Sequence, residues 1–122
     1  MDIRKIALEF LALCAAGQAK SAFARHAAKD LVHHNPHFPA GTAALILAME
    51  QNAASHPAKT LEVQRTVSEG DLVVVHSRVR MGPEHPGVAV VHILRFNEGR
   101  IVEVWDLAQA VPENLPNQHG MF

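Results

Sequence analysis

The sequence predicts an α+β domain, with N-terminal helices packed on one face of a curved, mostly antiparallel sheet. Three observations predict it. Apolar residues recur at helical spacing early in the chain, and β-branched residues with a period of two dominate from Leu61 onward. The helices also precede the strands instead of alternating with them, which argues against a parallel α/β sheet.

Residues 2 to 17 place Ile3, Ile6, Ala7, Phe10, Leu11, Leu13 and Cys14 on one helical stripe, with Asp2 as a cap and Gly17 as a stop. The Ala-rich stretch 20–29 predicts a second short helix anchored by Phe23. From Asp30 to Pro39, two prolines each hold the preceding residue extended, which predicts an ordered loop with at most a short strand. Gly41-Thr42 opens a third helix that runs to about Asn52, with Ala44, Leu45, Leu47, Ala48 and Met49 on its apolar face; His56-Pro57 ends it. Leu61 to Ser68 alternates as a half-buried strand, Glu69-Gly70-Asp71 turns, and Leu72 to Met81 is a long β-branched strand. After a loop over 82–87, Val88–Phe96 and Arg100–Asp106 are strands joined by Asn97-Glu98-Gly99. The tail from Val111 is expected to be irregular and held to the surface by Leu115 and Phe122.

With 122 residues, 48% of them hydrophobic and 19% charged, the chain suits a single domain, 1–122, with its own core. A formal net charge of -1 supplies no electrostatic reason to expect nucleic acid or an anionic membrane as partner. Cys14 is the single cysteine, so neither an internal disulfide nor a cysteine-based zinc site can form. The first apolar run is short and broken by Glu9, which makes it an amphipathic helix and not a signal peptide. A cytoplasmic location is the expectation. Nine histidines draw attention, because histidine titrates near neutral pH and is the commonest metal ligand. His33, His34 and His37 cluster near Asp30, but their spacing matches no standard zinc site and no metal is expected.

The last hairpin says most. A three-residue loop with Gly99 in the left-handed position and a G1 bulge pairs Phe96 with Arg100, and then His92 faces Val104 and Val90 faces Asp106. One face carries Val90, His92, Leu94, Phe96, Val102, Val104 and Asp106, and only His92 and Asp106 are polar on it. They are diagonal neighbours, roughly 7 Å apart. Buried polar groups cost free energy unless paired. The two are therefore either a structural pair or a general acid/base pair, since burial moves a carboxyl toward the working pH. The other face carries Val91, Ile93, Arg95, Ile101, Glu103 and Trp105, a half-apolar surface suited to a homodimer or to burial under the tail.

These residues resemble a known family. His34-Asn35-Pro36 followed by Phe38-Pro39-Ala40-Gly41 is similar to the His-Asn-Pro loop of the SnoaL-like polyketide cyclases, within the NTF2-like superfamily. Ile93-Leu94-Arg95-Phe96, Gly99-Arg100-Ile101-Val102-Glu103, Trp105-Asp106 and Gln109 are similar to that family's Trp-Asp hairpin, and Pro116-Asn117 with Gly120-Met121-Phe122 to its close. The resemblance implies an NTF2-like (cystatin-like) cone enclosing a pocket. It also implies cofactor-free intramolecular aldol condensation through an enolate, with Asp106 as acid/base and His92 on the preceding strand. The chain departs from the family's pattern at Val104, where a histidine is common, and at His33, where a glutamine is common.

On this reading Asp106 and His92 are the catalytic candidates. His34, His76, Arg65, Val104 and Trp105 are the candidates for the substrate-binding wall, with His34 as an oxyanion donor. The expected partner is a small hydrophobic carbonyl compound. The competing class is a non-catalytic ligand-binding or dimerisation domain on the same fold; a partner-binding module has less support, because no extended binding surface is readable.

Overall fold

A computed structural model describes residues 2–122. The elements run α1 (Ile3–Ala15), α2 (Ala19–His26), β1 (Ala27–His33), α3 (Ala43–Ser55), β2 (Thr60–Glu69), β3 (Leu72–Arg80), β4 (Val88–Asn97) and β5 (Arg100–Ala110). The strands form one sheet in the order β1-β5-β4-β3-β2, antiparallel except for the parallel β1–β5 pair.

The helices form for the reasons the sequence states. The Asp2 carboxylate accepts the Lys5 N–H at 3.2 Å and caps α1. Ala7, Phe10, Leu11 and Cys14 are its buried stripe, and Gly17, at φ 85°, lets the chain leave the helix. The rings of Phe10 and Phe23 meet at 5.0 Å and hold α1 to α2. Val73 and Val75 of β3, Leu94 and Phe96 of β4 and Ile101 of β5 join these residues in one buried cluster, so the helices cover one face of the sheet. Each such side chain contributes about 1.5–3 kcal/mol on burial.

Leu47, expected on the apolar face of α3, is exposed, and two features of the sheet differ from the sequence expectation. The first is β1. The predicted second helix stops at His26, and Ala27 begins a strand that runs through the expected loop to His33. Ala27-Ala28-Lys29 has helical propensity and no alternation. Pairing with Ile101, Glu103 and Val104 of β5 overrides it. The second is the β4–β5 register. The connection is a two-residue turn, Glu98 at φ 52° and Gly99 at φ 77°, with Asn97 opposite Arg100. A bulge then makes Val102 the extra residue, between the Phe96–Ile101 and Arg95–Glu103 pairs. Each change shifts the pairing by one residue, and the two together restore the original facing. Only Ile101 and Val102 exchange sides: Ile101 is fully buried in the core, where Val102 was expected. His92 consequently stands directly opposite Asp106, and Arg95 directly opposite Glu103.

Because Gly99 adopts a left-handed conformation, Gly99→Ala is expected to cost about 1–2 kcal/mol. A urea unfolding curve measures it, and an unchanged midpoint would contradict this turn. The tail returns to the sheet as expected for Phe122, whose ring lies 4.8 Å from the Arg78 guanidinium carbon and stacks on His76. Leu115 remains exposed. No helix among the described residues is long and apolar enough to cross a membrane.

Candidate active site

A cavity of about 310 Å³ lies between the helices and the sheet. Phe10, Leu45, Met49, Leu61 and Val90 build its apolar wall, and His33, Lys59, His92 and Asp106 supply its polar and charged groups. Alternation along β4 and β5 aims His92 and Asp106 into it with Val90, Val104 and Ala108.

Asp106 is held from the loop after β1. Asn35 donates through Nδ2 to Asp106 Oδ2 at 2.9 Å, while Asn35 Oδ1 accepts the His37 N–H at 2.9 Å. The second bond closes an Asx turn ahead of Pro36 and fixes which way the amide points. Oδ1 of Asp106 accepts from no group among the described residues. His92 faces Asp106 across the ladder without a hydrogen bond between them. Its Nδ1 is shut off from solvent and has no partner among the described residues. Burial pushes the His92 pKa down to about 4 against a smaller upward pull from the Asp106 charge, so the ring is neutral at neutral pH.

Of the seven residues proposed from sequence, Asp106, His92 and Val104 line the cavity. The structure places the other four on the opposite face of the sheet. His34 stacks on Trp105 at 4.9 Å, and its Nε2 donates to Glu103 Oε2 at 2.6 Å. Arg95 donates to Glu103 Oε1 through Nε and Nη2, at 3.0 and 2.9 Å. These bonds, that from His34 first, hold the Glu103 carboxyl below the usual carboxylate range. Arg65 donates to His76 Nδ1, and His76 lies under Phe122. The reason for His34 is β1: in a strand alternate residues face alternate sides, so Leu31 and His33 turn inward while Val32 and His34 turn out. His33 is the inward histidine. Its Nε2 donates to the Pro39 carbonyl at 2.9 Å and its Nδ1 accepts the Asn35 N–H at 3.1 Å, which makes it a brace for the Asn35 loop.

Sequence reasoning passed over Asn35, which it treated as turn chemistry, and Lys59. Asn35 had a usable signal: an Asn whose carbonyl closes an Asx turn keeps a free amide N–H₂ to spend elsewhere. Lys59 had none, because a lysine before a strand is ordinarily a surface residue. Among the described residues no three His, Cys, Asp or Glu side chains converge as a metal site.

Helices packed on one face of a curved, mostly antiparallel five-stranded sheet, with an apolar cavity between them, make this an NTF2-like (cystatin-like) fold. The family model for the SnoaL-like domain matches residues 7–104, and the chain belongs to that family. Solved structures agree on the fold. A candidate polyketide cyclase from Bacillus cereus superposes with a TM-score of 0.76 at 20% identity, covering 88% of this chain and 74% of that one. A candidate polyketide cyclase from Sinorhizobium meliloti gives 0.66 at 16% identity, covering 84% and 94%. A candidate isomerase of the SnoaL-like family from Agrobacterium tumefaciens gives 0.71 at 13% identity, covering 90% and 100%. No curated protein matches the chain.

Proposed function

We propose that the chain is a cytoplasmic, cofactor-independent enzyme of the polyketide-cyclase type, which closes a ring in a small carbonyl substrate by intramolecular aldol chemistry. The observation that carries this reading is the direct juxtaposition of Asp106 and neutral His92 in an apolar cavity.

The Asp106 carboxylate takes a proton from the carbon next to a carbonyl, and the electron pair moves into the enolate. The enolate carbon attacks a second carbonyl carbon of the same molecule, forming the new C–C bond. Asp106 then returns the proton to the alkoxide oxygen, which restores the carboxylate. Asn35 is a positioning residue that sets the carboxylate's orientation. With Nδ1 of His92 closed off, Nε2 is the nitrogen left to face the substrate, and the tautomer with its proton there would stabilise the enolate oxygen. An apolar wall strengthens both interactions by excluding water.

Proton abstraction is testable without the natural substrate. Incubating 2-tetralone with the protein in D₂O is expected to speed deuterium uptake at the carbons beside the carbonyl, read by proton NMR. Uptake no faster than in buffer, with the ketone bound, would favour a non-catalytic binding domain.

The outer face supports a homodimer. Val91 opposite Leu107 and Ile93 opposite Trp105 form an apolar stripe along β4–β5, and Leu107 is 59% exposed. Light scattering is expected to return twice the chain mass, and Leu107→Lys to return a monomer. A monomeric wild type would remove this proposal.

A further inference from the structure

Lys59 lies between α3 and β2, immediately before Thr60, and lines the same cavity as His92 and Asp106. Its Nζ donates to Asn52 Oδ1 at 2.7 Å, a neutral acceptor. It forms no ion pair among the described residues. Cys14, close enough to feel its charge, stays a neutral thiol, because burial pushes the thiol pKa up to about 12. Partial burial also holds the Lys59 ammonium below the ordinary lysine value, the direction expected of a charge that has lost part of its water without gaining a counter-charge.

The other titratable groups facing the cavity are His33, His92 and Asp106. Both ring nitrogens of His33 are engaged by the loop, and His92 is neutral. Asp106 is on β5 and Lys59 leads into β2, three places apart in the sheet. At ~4.8 Å per strand that is roughly 14 Å across the sheet, and because Asp106, His92, Val75 and Thr66 are level in the ladder, Lys59 is also offset along the strands by the stretch 60–65 that precedes Thr66. The cavity therefore has a cation at one end, the Asp106–His92 pair at the other, and apolar wall between.

We infer that the cavity takes a monoanion: an apolar carbonyl compound carrying one carboxylate, with the carboxylate on Lys59 Nζ and the carbonyl end at His92 and Asp106. This rests on the reading of the cavity as a site and names its substrate class, the free acid as distinct from an ester or neutral ketone. A partly desolvated ammonium gains most from an anion, because a neutral ligand would bury the charge further without compensating it. A second anionic group at the far end would meet the Asp106 carboxylate and be repelled.

The test is calorimetric titration of the full chain with 6-acetyl-2-naphthoate and with its methyl ester, a pair that differs only at the carboxyl end, in its charge and one methyl group. The wild type is expected to bind the acid on the order of 10- to 100-fold more tightly than the ester, the range of one charge-assisted hydrogen bond. Lys59→Met is expected to bind both at the ester's level. Asn52→Asp keeps the lysine but gives it a counter-charge, and is expected to lose the preference too. It decides the matter should Lys59→Met fail to fold. Equal affinities in the wild type, or a preference that survives either folded variant, would overturn the inference while leaving the cavity as a ligand site. Binding of neither compound would overturn both. A Lys59-dependent preference in a protein that exchanges no protons would uphold the monoanion inference and remove the catalytic reading.

Discussion

Asp106→Asn is expected to lower the rate of deuterium uptake into a bound ketone by about 10²- to 10⁴-fold, the usual contribution of one positioned general base. The substitution keeps the shape of the side chain and leaves an oxygen to accept the Asn35 amide now bonded at 2.9 Å. It removes the basic oxygen that takes the proton. Ligand affinity should therefore change little while exchange collapses, and that separation distinguishes a catalytic carboxylate from one that only braces the sheet. Asp106 is half-buried, and its hydrogen bond to Asn35 joins β5 to the loop after β1. A purely structural carboxylate would show its loss as a lower unfolding midpoint, with exchange unaffected in the folded fraction. NMR exchange rates and urea curves on the same samples read both, and exchange that persists in Asp106→Asn would remove Asp106 from the mechanism.

Lowering the pH from 7.5 to 4.5 is expected to cost about 2 to 3 kcal/mol of folding stability through His92 alone. The folded pKa is about 4 against 6.5 for the free side chain. Below 6.5 the unfolded chain takes up a proton that the folded one refuses. The contribution is therefore complete above pH 6.5 and drains away as the pH falls toward 4. Burial is the larger cause and the Asp106 charge a partial offset, so the effect reports a ring sealed in apolar surroundings. His92→Gln lacks the titration, and the difference between its urea midpoints and those of the wild type at the two pH values isolates it from the chain's other acidic groups. Parallel pH dependences in the two proteins would mean that His92 titrates normally, and the neutral-imidazole role would fall.

The parts of the fold legible in the sequence were those with local causes. The α1 stripe is read from spacing because a helix buries residues at i, i+3, i+4 and i+7, and Ala7, Phe10, Leu11 and Cys14 are the ones buried. The strands β2 to β5 are read from β-branched runs. The pairing of His92 with Asp106 on one face was legible although the register was not. Sharing a face depends only on parity, and the turn and the bulge each moved the pairing by one. Val102 and Ile101, which lie between those two events, show what a single shift does.

The substrate wall was less legible, and the reason is β1. Its residues carry no strand signal; what makes them a strand is an edge of β5 more than seventy positions later in the chain. Without a strand there is no alternation, and without alternation His33 and His34 cannot be assigned to sides. His76 and Arg65 were ambiguous for a related reason: each sits among apolar neighbours, and which side of a sheet meets helices is decided by the helices. Lys59 is the clearest case. Its position follows from where the α3–β2 connection crosses the cavity, a consequence of packing α3 on the sheet.

By itself the sequence determined the α+β class, the helix stripe, the β-rich second half, the placement of Asp106 and His92 on one face of the sheet, and the resemblance that the SnoaL-like family match bears out. The tertiary structure alone decided the parallel β1 edge, the exact opposition of His92 and Asp106, the Asn35 support and the cation at the far end of the cavity. The division follows the range of the forces. Periodic burial and turn preferences act between residues a few positions apart, whereas strand partners and cavity walls are chosen by groups that meet only once the chain has closed on itself.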